Sequence, residues 1–280
     1  MRSVHGGIDD ATSQVTGLYM SENECLQGYF EITRQTVINF GTPLSMYSDK
    51  HTIFRSPLTE KKAEAGEEAN LTQFGRALDE LGVNIIYANS AQAKGRVERL
   101  WNTLQSRLPV EFRLRGINSV KEANAFLAEY ILEFNKKFAV ETEKDPIFVP
   151  CNYGEDLDNI LCVKESRKMD AAGVFSYRGR FFKVLDKGYP LISAKASVEV
   201  LVNIRKGLHV RYKGRIYDTE ETPQPTKRSR KRKVIDVDTL VKPHLIHSTD
   251  DWKKIWHFEK YADTLEFLYD VFLYPVEKTG

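Results

Sequence analysis

The stretch that decides the fold runs from Leu44 to Leu108. It reads LSMYSDKHTIF over residues 44–54, TQFGRALDELGVNIIYANS over residues 72–90 and AQAKGRVERLWNTLQSRL over residues 91–108. Asp49 follows a short apolar run and is therefore expected at the end of a strand. Glu98 lies in a predicted helix, 49 positions further on, so only the fold can bring the two acids together. Carboxylates on a strand end and a helix are a frequent arrangement in two-metal sites, whose ions lie about 4 Å apart.

The spacing of apolar residues supports a helix that begins after Asn89-Ser90. These residues fall at i, i+4, i+7 and i+11 and form one stripe: Val97, Trp101, Leu104 and Leu108. The stripe is predicted to be buried. Glu98 lies beside it, where its carboxylate could reach inward to a metal. The alternative is a solvated glutamate that pairs with Lys94 or Arg99, worth roughly 0.2–0.5 kcal/mol.

These segments resemble the catalytic core of insertion-sequence transposases of the retroviral-integrase superfamily, and they are most similar to the ISNCY group. The resemblance rests on an Asp in a Ser-Asp-Lys-His context, then a strand, then Lys-Gly-Arg-Val-Glu-Arg at a helix start. It implies an α/β fold with an RNase H-like core, followed by a small all-β barrel. It also implies three acids that hold two Mg²⁺ or Mn²⁺ ions, with Asp49 as the second acid and Glu98 as the third.

The residues before Asp49 predict an incomplete core. In the family, a strand bearing the first acid precedes a second strand that ends in Ile-Asp-Asp-Ala-Thr. Here that motif spans Ile8 to Thr12, and only seven residues precede it. Asp9 and Asp10 are the alternative ligands, although Asp-Asp-Ala-Thr-Ser is typical of a turn between two strands. We therefore expect an N-terminally truncated transposase that is inactive or weakly active.

The other predicted elements of the core follow from local patterns. The prediction comprises a hairpin of residues 4–8 and 15–20, a helix capped by Ser21, a helix over Thr72 to Leu81, a buried strand over Val83 to Tyr87, and a helix opened by a capping box at Ser119–Glu122. The predicted domains are residues 1–150 for the core, 165–220 for the barrel, and 221–280 for a basic linker and tail.

Polar and basic side chains near the two acids are candidates for DNA-phosphate contacts. They are His51, Gln92, Lys94, Arg96 and Arg99. The alternatives are a polar loop residue for His51 and a solvated basic face for the others.

The pattern changes to short strands with Gly-centred turns from Val174 onward. The predicted strands are Val174–Tyr177, Phe181–Leu185, Val198–Asn203 and Leu208–Tyr212. Residues 166–217 hold twelve Lys and Arg against three Asp and Glu, and four aromatics lie among them: Tyr177, Phe181, Phe182 and Tyr212. Such a module suits sequence-tolerant DNA binding, with Arg178 and Arg180 as candidates. The alternative is a basic barrel that only supports the core.

The tail begins with KRSRKRK, in which six of seven residues are basic. The candidates for nonspecific DNA binding are Lys227, Arg228, Arg230, Lys231, Arg232 and Lys233. Apolar residues between Trp252 and Phe272 predict a terminal amphipathic helix that docks on the body or on a partner. Read-through beyond a frameshift is the alternative.

Composition excludes several classes of protein. The three cysteines lack the spacing of a zinc site or disulfide framework, and no apolar run reaches the roughly 18 residues of a membrane span. The resemblance implies that element ends and target DNA are partners, together with a second copy or an intact transposase. It also implies a bacterial cytoplasmic protein at the nucleoid. A non-catalytic remnant that binds DNA or an intact transposase is the alternative function.

Overall fold

The computed structural model describes residues 2–48, 51–54, 71–87, 95–141, 147–150, 153, 156–185 and 190–224. The chain divides into two compact units. The first contains Met1–Lys164 and Leu201–Gly207, and the second contains Glu165–Val200 and the described residues from Leu208 to Gln224.

The first unit opens with the predicted hairpin. Strands β1 (Ser3–Ile8) and β2 (Val15–Ser21) pair in antiparallel fashion. Helix α1 (Leu26–Asn39) follows and packs on both strands. The predicted cap at Ser21 is wrong, because Ser21 is the last residue of β2 and the helix begins after Cys25. Strand propensity therefore extends through the position that we took for a cap.

A parallel strand pair follows in the first unit. After the short strand β3 (Thr42–Pro43), strand β4 (Ser45–Ser48) pairs in parallel with β5 (Asn84–Tyr87). Helix α2 (Gln73–Glu80) lies between them in sequence, and the side chain of its N-cap Thr72 accepts a hydrogen bond from Gly75 N (3.0 Å). The prediction of a buried strand here is wrong for Ile86, which is 39% exposed. Within the described residues β5 has a strand neighbour on one side only, so its faces are less covered than those of a central strand.

Two long helices complete the core of the first unit. Helix α3 (Gly95–Leu114) carries Glu98, and α4 (Val120–Phe138) opens with the predicted capping box, in which Ser119 Oγ accepts from Glu122 N (3.2 Å). Helix α4 packs on β2, and α3 contacts β1. The shared buried cluster comprises Val15, Leu18, Met20, Leu100, Leu104, Leu108, Ala123, Leu127, Tyr130, Ile131 and Phe134.

Carboxamide side chains close the outer edge of β2. Asn135 Oδ1 accepts from Val15 N (2.8 Å), and its Nδ2 donates to Val15 O (2.9 Å). Asn124 makes the same pair of bonds with Met20, and Gln35 of α1 makes them with Leu18. Each carboxamide takes the place of a peptide group of a neighbouring strand, so this edge cannot accept another strand.

The second unit is built from short antiparallel strands, as predicted for this part of the chain. Strand β6 (Phe148–Val149), which pairs with β3, and helix α5 (Asp156–Ile160) still belong to the first unit. Six further strands, most of whose residues belong to the second unit, form a nearly closed barrel in the order β7-β10-β11-β12-β9-β8. They are β7 (Val163–Lys168), β8 (Val174–Tyr177), β9 (Arg180–Val184), β10 (Ser197–Asn203), β11 (Gly207–Tyr212) and β12 (Arg215–Thr222). The two outer strands meet through Tyr177, whose hydroxyl donates to Glu165 (3.1 Å). Sequence reasoning did not predict β7 or β12.

None of the helices in the described ranges is long and apolar enough to cross a membrane.

Candidate functional site

Strands β4 and β5 end at a common edge of their sheet. Ser48, the last residue of β4, is the partner of Tyr87, the last residue of β5. Asp49 follows Ser48 directly in sequence, and the chain that leaves Tyr87 leads to α3. Parallel strands end at the same edge of a sheet. The segment with Asp49 and the segment that leads to Glu98 therefore both leave the sheet at this edge. Asp49, Gln92 and Lys94 themselves lie outside the described residues.

The turn that follows Asp49 is anchored by Phe54, which is buried. The Phe54 ring makes edge contacts with Tyr29 (4.7 Å between centroids) and Phe74 (5.3 Å). Its carbonyl accepts hydrogen bonds from the Tyr87 hydroxyl (3.1 Å) and the Thr72 hydroxyl (3.4 Å). These bonds tie the turn after β4 to the end of β5 and to the start of α2.

His51 opens this turn and is exposed. Its Nδ1 accepts from Ile53 N (3.4 Å), and its carbonyl accepts from Phe54 N (2.9 Å). The ring therefore lies on the surface of an anchored turn, two residues after Asp49.

Glu98 lies in the first turn of α3, and it is exposed. An exposed carboxylate is open to a cation, and its oxygens are of the kind that Mg²⁺ prefers. Among the described residues, however, no group of three or more His, Cys, Asp or Glu side chains is arranged to hold a metal ion. Because Asp49 lies outside those residues, its pairing with Glu98 stays a prediction.

Asp9 and Asp10 lie in the turn between β1 and β2. One carboxylate oxygen of Asp9 accepts from the backbone N–H (2.8 Å) and hydroxyl (2.6 Å) of Thr12, which is the turn chemistry that the sequence predicted. Asp10 pairs instead with Arg96 Nε of α3 (2.9 Å), and Arg96 also donates to Ser13 Oγ (3.0 Å). The turn is thereby joined to the first turn of the helix that carries Glu98. Sequence reasoning missed this pair because 86 positions separate its members.

Arg96 and Arg99 were predicted to contact DNA. The Arg96 guanidinium is held by Asp10, and its side chain remains 40% exposed. Arg99 is exposed, and its Nε donates to the carbonyl of Gly95 one turn earlier (3.1 Å). An ion pair as exposed as Arg96–Asp10 contributes less than about 1 kcal/mol, so a DNA phosphate can compete for this arginine.

A cavity of about 1720 Å³ lies beside α3 in the first unit. All four residues of the predicted stripe line it: Val97, Trp101, Leu104 and Leu108. The prediction that the whole stripe is buried is wrong for Val97, which is 38% exposed, whereas Leu104 and Leu108, which line the same cavity, are buried. Leu100, which was not part of the stripe, is buried in the core instead. Glu98 is not among the residues that line the cavity.

A buried histidine lies on β1 at the border of the same cavity. His5 is 3% exposed, its Nε2 accepts from Cys25 N (3.2 Å), and its ring meets Tyr29 edge-on at 4.9 Å between centroids. Burial lowers the pKa of His5, against smaller opposing contributions from the Tyr19 carbonyl and Glu24. His5 is therefore neutral at pH 7 and joins β1 to the start of α1.

Two hairpins of the barrel carry the same short motif. Tyr177-Arg178-Gly179-Arg180 joins β8 to β9, and Tyr212-Lys213-Gly214-Arg215 joins β11 to β12. The two central residues of each turn have positive φ, as a tight two-residue hairpin requires: Arg178 (45°), Gly179 (79°), Lys213 (48°) and Gly214 (78°). The antiparallel register pairs Phe181 with Thr222 and Val184 with Thr219, so the two turns lie at opposite ends of the sheet.

The two hairpins differ in how far they present their cations. Lys213 and Arg215 are exposed, whereas Arg178 and Arg180 are half-buried, and Arg180 lies 3.5 Å from the carboxylate of Glu221. Lys213 and Arg215 are thus the stronger candidates for phosphate contacts. Sequence reasoning named only Arg178 and Arg180, although the repeated Tyr-basic-Gly-Arg motif is a signal that marks both hairpins.

We predicted that aromatic side chains among the basic residues of the barrel contribute to DNA binding. This prediction is wrong for two of them. Tyr177 is fully buried and Phe182 is buried, with its ring stacked on Phe175 at 5.8 Å between centroids. These rings belong to the barrel core and cannot stack on bases. Phe181 and Tyr212 are half-buried and keep part of their surface open.

The six basic tail candidates, from Lys227 to Lys233, lie outside the described residues, as does the predicted terminal helix.

The chain is similar to transposases. It is 36% identical over 221 residues to a putative transposase, y4bF, of Sinorhizobium fredii, and the match covers 76% of this chain and 48% of that protein. It is 32% identical over 220 residues to the transposase for insertion sequence IS1202 of Streptococcus pneumoniae, covering 78% of this chain and 47% of that protein. The chain spans about half the length of these curated relatives. No protein-family model matches it.

Proposed function

We propose that this chain is part of a transposase that cuts and joins DNA by metal-dependent phosphoryl transfer on an RNase H-like core. The observation that carries the proposal is the common edge at which β4 and β5 end, immediately before Asp49 and upstream of the helix with Glu98. The similarity to two transposases supports it.

The proposed site consists of Asp49, Glu98 and a third acid, whose oxygens suit Mg²⁺ or Mn²⁺. A bound divalent ion would stabilise the charge that develops on the attacking and leaving oxygens of the phosphate. The proposed reaction hydrolyses one DNA strand to free a 3′-OH, which then attacks target DNA. Neither step needs a protein nucleophile.

The resemblance assigns two of the three acids to this chain. We therefore expect the isolated chain to be inactive or nearly so in strand transfer, and to bind Mn²⁺ only weakly. Titration calorimetry with Mn²⁺ tests the site: Asp49→Asn and Glu98→Gln should each abolish the binding. The matched control is Asp79→Asn, which changes an exposed aspartate of α2 and should leave the binding unchanged.

A strand-transfer assay separates the site from the expected inactivity. Mg²⁺-dependent strand transfer that Asp49→Asn abolishes and Asp79→Asn preserves would contradict the inactivity and support the site. Activity that survives in Asp49→Asn would contradict the site itself.

A second candidate function is DNA binding without catalysis, and the exposed Lys213 and Arg215 of the barrel favour it. On this proposal the chain binds element ends or target DNA, as a homo-oligomer or together with an intact transposase. Fluorescence anisotropy with a labelled duplex should show binding that weakens steeply with salt and does not need a metal. Absence of binding at 50 mM salt would exclude this function.

A further inference from the structure

One end of the barrel, within the second unit, is formed by the end of β7, the segment that leads into β10, and the β11–β12 hairpin. Two backbone hydrogen bonds join the first two of these. Met169 N donates to Ala196 O (3.0 Å), and Lys195 N donates to Met169 O (2.8 Å). The end of β7 therefore lies beside the start of β10. Lys168 and Lys195 belong to this junction, and both are exposed.

The β11–β12 hairpin reaches the same end of the barrel. Strand β11 follows β10 after a short loop and is its neighbour in the sheet, so β11 ends where β10 begins. An ion pair across the two strands marks their register, with Arg211 Nη2 2.6 Å from Glu199 Oε2. Lys213 follows Arg211 by two positions, and Ser197 precedes Glu199 by two. In an antiparallel pair these two shifts run in the same direction. The tip of the hairpin therefore lies next to the segment with Lys195.

Exposed cations from these three segments share this end of the barrel, which we call the cationic end. They are Lys168, Lys195, Lys213 and Arg215. Two nearby carboxylates are already engaged by protein groups. The Glu199 carboxylate binds Arg211, and one oxygen of Asp170 accepts from the backbone N–H groups of Ala172 and Val174 (both 2.8 Å). The four cations outnumber these two acids, so the described part of this end presents a net positive charge.

The opposite end of the barrel has a different charge pattern. It carries the β8–β9 hairpin, whose Arg178 and Arg180 are half-buried. The last residues of β12 pair with the start of β9, and among them Glu220 and Glu221 are exposed. Arg180 lies 3.5 Å from the Glu221 carboxylate. A polyanion is therefore attracted to the cationic end and not to this one.

The side chains of the cationic end favour contacts to phosphates over contacts to bases. Three of the four cations are lysines, which are point charges without the planar fork of arginine. Binding of single strands relies on aromatic rings on which bases stack. Tyr212 of the hairpin is half-buried, and Lys213 Nζ lies over its ring, 5.4 Å from the centroid. A cation thus occupies the place that a stacked base would need.

We propose that the cationic end of the barrel binds the phosphate backbone of duplex DNA irrespective of its sequence. Phosphate contacts position a protein on DNA but carry no sequence information directly. Of the two kinds of DNA in the proposed function, target DNA fits such a surface, since element ends have a defined sequence. The inference rests on the proposed DNA binding of the chain and adds to it the surface, two further residues, Lys168 and Lys195, and the kind of DNA.

Substitution of the two added lysines tests the surface. Lys195 has a backbone φ of 64°, a conformation in which asparagine is enriched, so Lys195→Asn removes the charge without straining the backbone. Lys168→Gln removes the second charge at an exposed position. In anisotropy titrations with a labelled duplex, this double variant should flatten the slope of log K against log[salt] by about 2, since each phosphate contact contributes about 0.9. Adding Lys213→Ala and Arg215→Ala should bring the total change to about 3.6 if all four cations contact one duplex.

Two control variants separate the surface from net charge and from folding. Lys136→Gln/Lys137→Gln removes two exposed lysines at the end of α4 and should leave the slope unchanged. Lys168→Arg/Lys195→Arg keeps both charges and should also keep the slope. A second duplex of equal length and unrelated sequence should bind within about threefold of the first, because phosphate contacts do not read sequence.

The outcomes distinguish this surface from the proposed function. If the unmodified chain binds DNA and Lys168→Gln/Lys195→Asn leaves the slope unchanged, the surface is wrong while the DNA binding stands. Equal flattening by the Lys136/Lys137 pair would likewise overturn the surface, because binding would then follow net charge. A preference of more than about tenfold between the two duplexes would overturn the sequence independence. Absence of DNA binding by the unmodified chain would overturn both proposals.

Discussion

The carboxamide of Asn135 clamps the backbone of Val15. Oxygen and nitrogen of one side chain bond to the N–H and C=O of one strand residue, 120 positions away in sequence. Val15 is fully buried, so its peptide groups would have no access to water without this clamp. The contact both ends the sheet on this side and fixes α4 on β2.

Replacing Asn135 by leucine should destabilise the protein by about 2 kcal/mol or more, because an unsatisfied buried backbone group costs about 1–3 kcal/mol. Urea unfolding measures the loss. Asn102→Leu, at an exposed position of α3, is the control and should change stability by less than about 0.5 kcal/mol. Equal stability of the two variants would show that the clamp is dispensable.

The ammonium group of Lys164 is the second strong constraint. The Lys164 side chain is 2% exposed, and its Nζ lies 2.5 Å from one carboxylate oxygen of Glu80. Arg76 Nη1 lies 2.7 Å from the other carboxylate oxygen. Burial, the largest influence, raises the pKa of Glu80, but the hydrogen bonds from Lys164 and Arg76 together outweigh it and hold the pKa below its ordinary value. Glu80→Ala should cost about 3–5 kcal/mol, because it leaves a buried charge uncompensated.

A second substitution separates the buried charge from simple loss of packing. Lys164→Met in the Glu80→Ala background should restore most of the lost stability, since no unpaired ammonium remains. Thermal unfolding of the single and double variants measures this recovery. If the double variant is no more stable than Glu80→Ala, the explanation by an uncompensated charge is wrong. Glu129→Ala, at an exposed site on α4, is the control.

His5 should make stability depend on pH. Burial lowers its folded-state pKa below the unfolded value of 6.5, so between these two values the unfolded chain binds a proton that the folded chain does not. The contribution is complete above pH 6.5 and is lost as the pH falls toward the folded pKa. His5→Gln keeps an acceptor for Cys25 N but cannot titrate, so it should flatten this slope. An unchanged slope between pH 5 and pH 7 would assign the dependence to other groups.

Lys213 and Arg215 should control the salt dependence of DNA binding. If each contacts one phosphate, the double alanine variant should flatten the slope of log K against log[salt] by about 2, since each contact contributes about 0.9. Anisotropy titrations between 50 and 200 mM salt give the slope. The control variant Lys136→Ala/Lys137→Ala changes two exposed lysines at the end of α4. Equal effects of both pairs would mean that binding follows net charge and not the hairpin.

Local patterns predicted much of the secondary structure. The Asp9–Thr12 turn and the Ser119–Glu122 capping box lie where the sequence placed them, because each depends on hydrogen bonds that span only a few residues. Errors arose where burial decided the outcome. The spacing of Val97 is that of a buried residue, but its side chain is 38% exposed in the fold. Tyr177 and Phe182 are aromatic residues of the kind that stack on bases, but both side chains are buried in the core of the barrel.

For the candidate site, too, some features follow from the sequence and others only from the fold. The sequence by itself determined which residues are chemically suited to a metal and to DNA: the acids Asp49 and Glu98, and the basic residues around the hairpins. Only the tertiary structure decided that β4 and β5 end at one edge, that Asp10 holds Arg96, and that carboxamides close the outer edge of β2. These relationships join residues that are distant in the chain. The carboxamide contacts follow from the requirement that buried polar groups find partners. Those partners meet only in the packed fold, so local sequence does not encode them.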